Sequence, residues 1–265
     1  MSAVSAPTSP PSARQSERVE PTPRRIRVRL GDRVVADSTR ALLLIRYGPS
    51  GLPTYFVPRD DVAPDALADE QRDGDGRASW DVCAGSVRAE GAAWTDPHPD
   101  LAGHVTFSWR QLDWYEEDEQ VVVHARDPYK RIDALRSSHR VEIRVGGETV
   151  ATSIRPLLLF ETSLPTRFYL PAEDVRTELF EQSDLVTICP YKGTARYWSV
   201  RVGDTFEPDL VWSYPDPIAE NPKIKDLFCF FNERVDLVVD GVAQDRPMTP
   251  WSKPPSRTVD GTAPA

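Results

Sequence analysis

The sequence predicts a mainly β protein built from two tandem copies of one domain. Residues 28–44 align without a gap with residues 143–159, and further matches follow in the same order at nearly the same spacing. Each copy also begins with alternating polar and apolar residues interrupted by a glycine turn, which is typical of a β-hairpin. Solenoid repeats have periods of about 20–50 residues, so a repeat of domain length indicates a duplicated domain.

The matched segments predict the strands of each copy in order. Residues 25–36 form the first hairpin, with its turn at Gly31, and residues 141–151 form its counterpart, with its turn at Gly146. The leucine-rich runs after each hairpin predict buried strands, because a short apolar run fits the interior of a sheet. The strands predicted after the hairpins are residues 42–45, 54–57 and a closing strand within 112–123 in the first copy, and residues 157–160, 167–170, 196–202 and 234–239 in the second.

One segment of the second copy, residues 171–184, predicts a helix. Glu173 and Asp174 lie near its start, and Val175, Leu179 and Phe180 follow at helical spacing. Acidic residues in a first turn followed by an apolar stripe are typical of a short amphipathic helix. We therefore expect about one short helix in each unit.

Composition divides the chain into two domains, a linker and two tails. Residues 1–23 are rich in Ser, Pro, Ala and Arg, and such a segment cannot bury enough surface to offset its ordering entropy. We predict a disordered tail there and a second one at residues 253–265. The domains are expected at residues 24–127 and 139–252, joined by a linker at 128–138.

The charge, the apolar runs and the cysteines of the chain disfavour several classes of protein and of partner. The net charge of −9 and the pI near 5.1 disfavour phosphate backbones and anionic membranes. No apolar run approaches the ~20 residues of a membrane span, and no secretory signal is visible at the start. The three cysteines form no Cys-x-x-Cys pair. We therefore expect a soluble cytoplasmic protein with free thiols and without a nucleic-acid or membrane partner.

The sequence contains no recognisable metal or phosphate motif. The spacing of its four histidines, His98, His104, His124 and His139, fits no metal-ligand pattern. Glycine-rich phosphate loops and the Gly-x-Ser-x-Gly elbow do not occur either. We predict neither a metal nor a cofactor.

The densest group of reactive residues is the loop from Cys189 to Gly193. A cation beside a thiol favours the nucleophilic thiolate, so Cys189 and Lys192 are candidate catalytic residues. Lys192 could equally bind an anionic ligand, with Tyr191 and Gly193 as neighbouring ligand contacts. The alternative is a structural loop, in which Cys189 is a small buried hydrophobe and Lys192 a solvated turn residue.

Aromatic side chains form a second candidate group, and they line a concave β surface if the strands on either side of residue 205 pair. Aromatic faces attract cations and planar rings, so such a surface suits a small ligand. Trp80 and Trp94 occupy matching positions in the first copy, which equally supports core packing. The aromatic candidates are Tyr191, Trp198, Trp212 and Tyr214.

The two copies differ at the cysteine loop. Its counterpart in the first copy, residues 71–75, is an acidic, glycine-containing turn without a thiol or an ammonium group. We therefore expect the site in the second unit only. Arg40 and Arg155 occupy matched positions before the leucine runs, which indicates either an internal salt bridge or a shared ligand contact.

These motifs resemble a family known as domain of unknown function four-two-seven, over about residues 25–252. The resemblance implies two tandem β-tent domains, in which two small antiparallel sheets meet at an angle above a pocket. The family carries a nucleotidyltransferase-like label, although the chain lacks a Gly-Ser and paired-Asp catalytic signature. It also lacks the cysteine pairs of zinc-binding relatives. The matching motifs are residues 168–175, residues 189–193 and residues 212–217.

These observations favour a protein that binds an unknown small molecule in an aromatic-lined pocket of the second domain. One alternative is a transferase-like enzyme that uses Cys189 with Lys192. Another is a non-catalytic structural or interaction scaffold.

Overall fold

The chain divides into two compact units, Met1–Pro128 and Tyr129–Ala265. The computed structural model describes residues 17–47 and 51–252. Within these residues, each unit contains one seven-stranded and one four-stranded antiparallel sheet. This confirms the predicted fold class, mainly β in two tandem domains of small antiparallel sheets, as the β-tent resemblance implies.

The first unit has eleven described strands, which lie in the order β1-β4-β5-β9-β8-β7-β6 in one sheet and β11-β10-β2-β3 in the other. They are β1 (Arg18–Pro21), β2 (Ile26–Leu30), β3 (Arg33–Ser38), β4 (Leu42–Ile45), β5 (Thr54–Pro58), β6 (Leu67–Arg72), β7 (Ala78–Ala84), β8 (Val87–Trp94), β9 (His104–Phe107), β10 (Asp113–Glu116) and β11 (Glu119–Val121).

The second unit repeats this topology, with the sheet orders β12-β15-β16-β20-β19-β18-β17 and β14-β13-β21-β22. Its strands are β12 (Ile132–Arg136), β13 (Val141–Val145), β14 (Glu148–Ser153), β15 (Leu157–Glu161), β16 (Arg167–Leu170), β17 (Phe180–Cys189), β18 (Gly193–Val202), β19 (Thr205–Ser213), β20 (Phe228–Phe230), β21 (Asp236–Val239) and β22 (Val242–Ala243).

The predicted hairpins and buried strands are confirmed. β2 and β3 pair across a turn at Gly31, which has a φ of 56°, and only glycine adopts this conformation without a steric cost. Ile26 and Val28 on β2 pack in one cluster with Val57 and Phe107 of the larger sheet. Alternation in the hairpin sequence thus places one face of the small sheet against the large sheet, and the second unit repeats this arrangement.

The helix predicted over residues 171–184 is wrong. Two single 3₁₀ turns, Ala172–Asp174 and Thr177–Leu179, lead directly into strand β17. Phe180 pairs with Val200 of β18, so its backbone hydrogen bonds go to a neighbouring strand instead of a helical turn. Three apolar residues at helical spacing cannot outweigh a full strand partner.

The other described 3₁₀ turns are equally short, and no helix in the described part of the chain is long and apolar enough to cross a membrane. These turns are Arg59–Asp61, Pro99–Leu101, Pro222–Ile224 and Pro250–Ser252.

Each seven-stranded sheet has an edge strand in a segment that composition assigns to a tail or linker. β1 lies within the predicted tail 1–23 and packs Val19 on the core beside β4, while β12 lies within the predicted linker 128–138 and packs Ile132. An edge strand is paired on one side only, so its composition stays polar and resembles that of a linker. The tail predicted at 253–265, like most of the first tail, lies outside the described residues.

Candidate functional site

The candidate site lies on one face of the seven-stranded sheet of the second unit. Four residues lie opposite one another across four neighbouring strands. Tyr197 of β18 pairs with Trp212 of β19, and Trp212 pairs with Cys229 of β20. Cys229 in turn pairs with Tyr169 of β16. Residues opposite each other in antiparallel strands project to the same side of a sheet. The row therefore places two tyrosines, a tryptophan and a thiol side by side.

The cysteine loop joins this row because the β17–β18 hairpin is unusually long. Its pairing continues to Cys189 opposite Gly193, whereas the corresponding hairpin of the first unit ends at Arg72 opposite Ala78. The Thr187 hydroxyl lies 2.9 Å from the Tyr197 hydroxyl, which places Thr187 on the tyrosine face. Cys189 follows two residues later, so its half-buried thiol projects to the same face.

The loop is held against the segment that follows β19. Gly193 has a φ of +104°, and a Cβ atom there would lie 3.0 Å from the carbonyl oxygen of Asp216. The Ile218 N–H donates to the Lys192 carbonyl at 3.1 Å, and the Asn221 amide donates to the Tyr191 carbonyl at 2.7 Å. These backbone contacts fix the direction in which Lys192 leaves the loop.

Lys192 contributes a nearly buried ammonium group to the site. Its side chain is 12% exposed and donates to Glu161, whose carboxylate is 4% exposed and also lies 2.9 Å from the Lys130 ammonium. Burial disfavours both charged forms, but the mutual attraction outweighs it, so the pKa of Glu161 is lowered. The pKa of Lys192 is raised in the same way, with Cys189, Glu161 and Tyr169 outweighing burial. Both groups are therefore charged at neutral pH.

Three buried tyrosines surround these charges. Burial raises the pKa of Tyr169, Tyr197 and Tyr214, so all three phenols stay protonated at neutral pH. The Tyr169 oxygen accepts a hydrogen bond from Trp212 Nε1 at 3.1 Å, and Tyr197 is paired with Thr187. Tyr214 is 5% exposed, and its hydroxyl has no hydrogen-bond partner among the described residues.

Two of the sequence candidates lie elsewhere. Trp198 follows Tyr197 in β18 and projects to the opposite face, where its ring centroid lies 5.1 Å from that of Phe228. Arg155 forms ion pairs with Glu173 at 2.7 Å and with Asp174 at 3.3 Å, and Arg40 forms the equivalent of the second pair with Asp61 in the first unit. The structure thus brings together Cys189, Tyr191, Lys192, Gly193, Trp212 and Tyr214, but neither Trp198 nor Arg155.

Four residues of the cluster were missed by sequence reasoning: Glu161, Lys130, Tyr169 and Tyr197. Glu161 carried a signal, since the aligned residue of the first copy is Arg46, a reversal of charge beside a buried strand. Lys130 carried none, because it lies in the predicted linker and approaches the site only when β12 pairs with β15.

The first unit has a different arrangement at the matching positions. Arg46 pairs there with Asp96, whose side chain is 3% exposed, at 3.1 Å. An open depression of about 440 Å³ also belongs to the first unit, between Asp69, Trp80 and Asp81. Arg88 forms ion pairs with both of these aspartates, and Glu90 also lines the depression.

The fold and the cluster define a class: a protein of two tandem antiparallel-sheet domains, of which the second holds a buried amine–carboxylate–phenol cluster. The chain belongs to the family described as domain of unknown function DUF427, whose model matches residues 18–118 and 133–241, once in each unit. The family also bears a nucleotidyltransferase label. Among the described residues, no group of three or more His, Cys, Asp or Glu is placed to hold a metal ion. No curated protein matches the chain.

Proposed function

We propose that the second unit binds a small molecule on the tyrosine face of its large sheet. Lys192 and Tyr214 supply the polar contacts, Trp212 and Tyr197 supply apolar walls, and Cys189 with Tyr191 forms the rim that reaches solvent. The observation that carries this proposal is the Tyr214 hydroxyl, which has no hydrogen-bond partner among the described residues although the residue is only 5% exposed. The protonated phenol carries one O–H donor, and a ligand acceptor can take the hydrogen bond that no described residue takes.

Donor groups outnumber acceptors in this cluster. An ammonium carries three N–H donors, and Glu161 is the single acceptor that the described residues place on the Lys192 ammonium. Tyr214 adds a phenol that stays protonated, and it interacts electrostatically with Cys189 and Glu161, as Lys192 does. A donor surplus beside aromatic walls matches the usual composition of a small-molecule site.

Replacing Tyr214 by phenylalanine is expected to weaken ligand binding without loss of stability, because no described residue forms a hydrogen bond with the deleted hydroxyl. Ligand-observed NMR with the full chain and a library of small acids, amides and amines should give hits for the wild type that weaken at least about tenfold in Tyr214→Phe. The matched control is Tyr115→Phe, which alters a half-buried tyrosine of the first unit. An empty screen on the wild type, or equal hits for Tyr214→Phe, rejects the proposal.

A second candidate, enzymatic use of Cys189, is favoured by one observation. The half-exposed thiol interacts electrostatically with the Lys192 ammonium, and a cation beside a thiol promotes its nucleophilic form. Chemistry of this kind would begin with attack of the Cys189 thiolate on an acyl or phosphoryl group of the substrate, and the leaving group would depart with the electron pair of the bond that breaks as the sulfur bond forms.

This role predicts that Cys189 reacts faster with iodoacetamide near neutral pH than Cys83 does. Cys83 is the internal control, since it is similarly half-exposed but belongs to the first unit. Lys192→Met should reduce the Cys189 rate severalfold and leave the Cys83 rate unchanged, as measured by peptide mass spectrometry. Equal rates at the two cysteines in the wild type would exclude the enzymatic reading.

A further inference from the structure

We infer that the ligand of this site is a small monoanion, such as a carboxylate, and not a polyphosphate. This inference rests on the proposed function and narrows it to one class of ligand. It also departs from the nucleotidyltransferase label of the family.

The first argument is the balance of charge around Lys192. Two ammonium groups, Lys192 and Lys130, face one carboxylate, Glu161, and all three side chains are less than one-fifth exposed. Arg167 of β16 and Glu233 in the turn after β20 neutralise each other through two hydrogen bonds of 2.7 and 2.8 Å. Lys192, Lys130 and Glu161 therefore leave one surplus positive charge beside Lys192, while the buried Asp209, which interacts electrostatically with Tyr197, accepts a hydrogen bond from Ser183. Since uncompensated charge is costly away from water, one negative charge is the complement that the site lacks.

The second argument is that the unpaired polar groups of the site are hydrogen-bond donors, which call for an acceptor on the ligand. The spare N–H groups of Lys192 can only donate, because Lys192 stays an ammonium, and the protonated Tyr214 phenol supplies one O–H donor beside its acceptor oxygen. An acceptor that takes hydrogen bonds from both is best satisfied when it is itself charged, because charge-assisted hydrogen bonds are shorter and stronger than neutral ones. A carboxylate offers two such oxygen atoms.

The third argument concerns the number of charges. A nucleoside triphosphate carries several negative charges, and proteins bind it with several cations or with a metal ion. The cluster offers one surplus charge, and the chain as a whole carries a net charge of −9, which repels polyanions at longer range. The site thus matches an acid of one charge with an apolar body for the Trp212 and Tyr197 rings.

The test compares acids with their neutral amides. Ligand-observed NMR with the full chain measures the binding of three pairs of compounds: acetate and acetamide, benzoate and benzamide, and indole-3-acetate and indole-3-acetamide. ATP is then added as a competing polyanion. We expect the acid to bind at least about tenfold more tightly than its amide, and ATP not to compete with it.

The deciding variant is Lys130→Met, which removes the surplus charge but leaves the Lys192–Glu161 pair intact. It should reduce the preference for acid over amide by about tenfold, because only the acid interacts with the lost charge. The matched control is Lys223→Met. It removes an ammonium group that donates a hydrogen bond to the exposed Ala134 carbonyl oxygen.

The possible outcomes separate the two proposals. Amides that bind as tightly as acids, or ATP that competes with them, would overturn the monoanion inference but leave a small-molecule site at Tyr214. Binding of neither acids nor amides, while other library compounds still depend on Tyr214, would overturn the inference in the same way. If no compound binds at all, the proposed function itself fails.

Discussion

Replacing Glu233 by glutamine is expected to destabilise the second unit by about 3–5 kcal/mol, the usual cost of removing one partner of a buried ion pair. Arg167 and Glu233 are 8% and 0% exposed. The Arg167 guanidinium also lies 5.5 Å from the Trp212 ring and 5.8 Å from the Trp251 ring. Glutamine has nearly the shape of glutamate, so the substitution isolates the charge: it leaves a guanidinium buried among aromatic rings without a counter-ion.

Urea unfolding is monitored through hydrogen exchange of the backbone amides in β16 and β20. The measured free energy of unfolding is then that of the second unit alone. The control is Glu181→Gln, which breaks a half-exposed pair with Arg201 and should change the stability by no more than about 1 kcal/mol. The double variant Arg167→Met with Glu233→Leu should recover most of the loss, because an apolar pair leaves no charge buried. A loss below about 1 kcal/mol in Glu233→Gln would show that the pair is not a buried ion pair in solution.

Replacing Glu161 by glutamine is expected to cost about 3 kcal/mol at neutral pH, the lower end of the usual range, because it leaves two largely buried ammonium groups without an anion. The pKa of Glu161 is lowered, since Lys192 and Lys130 outweigh burial. A carboxyl with a lowered folded pKa contributes stability that is fully present above its unfolded pKa, about 4.3. That contribution is lost as the pH falls through the folded pKa.

The pH dependence supplies a second measurement of the same substitution. The gap in stability between wild type and Glu161→Gln should be largest above about pH 5 and should close as the pH falls below about 4. The control is Glu178→Gln, which alters an exposed pair with Arg176. A gap that stays constant from neutral pH into acid would contradict the assignment of a buried, ionised Glu161.

Sequence reasoning reached much of the candidate site through its loop. The cysteine loop supplied Cys189 and Lys192, and the aromatic group near the end of β19 supplied Trp212 and Tyr214. The structure places these four residues on one face. Trp198 was a candidate from the sequence but lies on the opposite face of the sheet. Its neighbour Tyr197 was not a candidate, yet it lies on the face of the site. Strand β18 alternates its side chains between the two faces of the sheet, and the sequence does not reveal which of the two faces carries the charged groups.

The sequence by itself determined that this protein is a duplicated, antiparallel β domain. Alternating residues around Gly31 and Gly146 specify a hairpin locally, and the repeat shows that both halves use the same strands. Only the tertiary structure decided the helix prediction and the composition of the site. Phe180 lies in a strand because β18 offers it backbone hydrogen bonds that no local pattern reveals.

The buried charges follow the same rule. Glu161 ends a leucine run, Lys192 lies in a hairpin turn, and Lys130 lies in what composition reads as a linker. They meet only because β12 and the long β17–β18 hairpin are assembled around one sheet, and the cost of burying charge then requires them to pair.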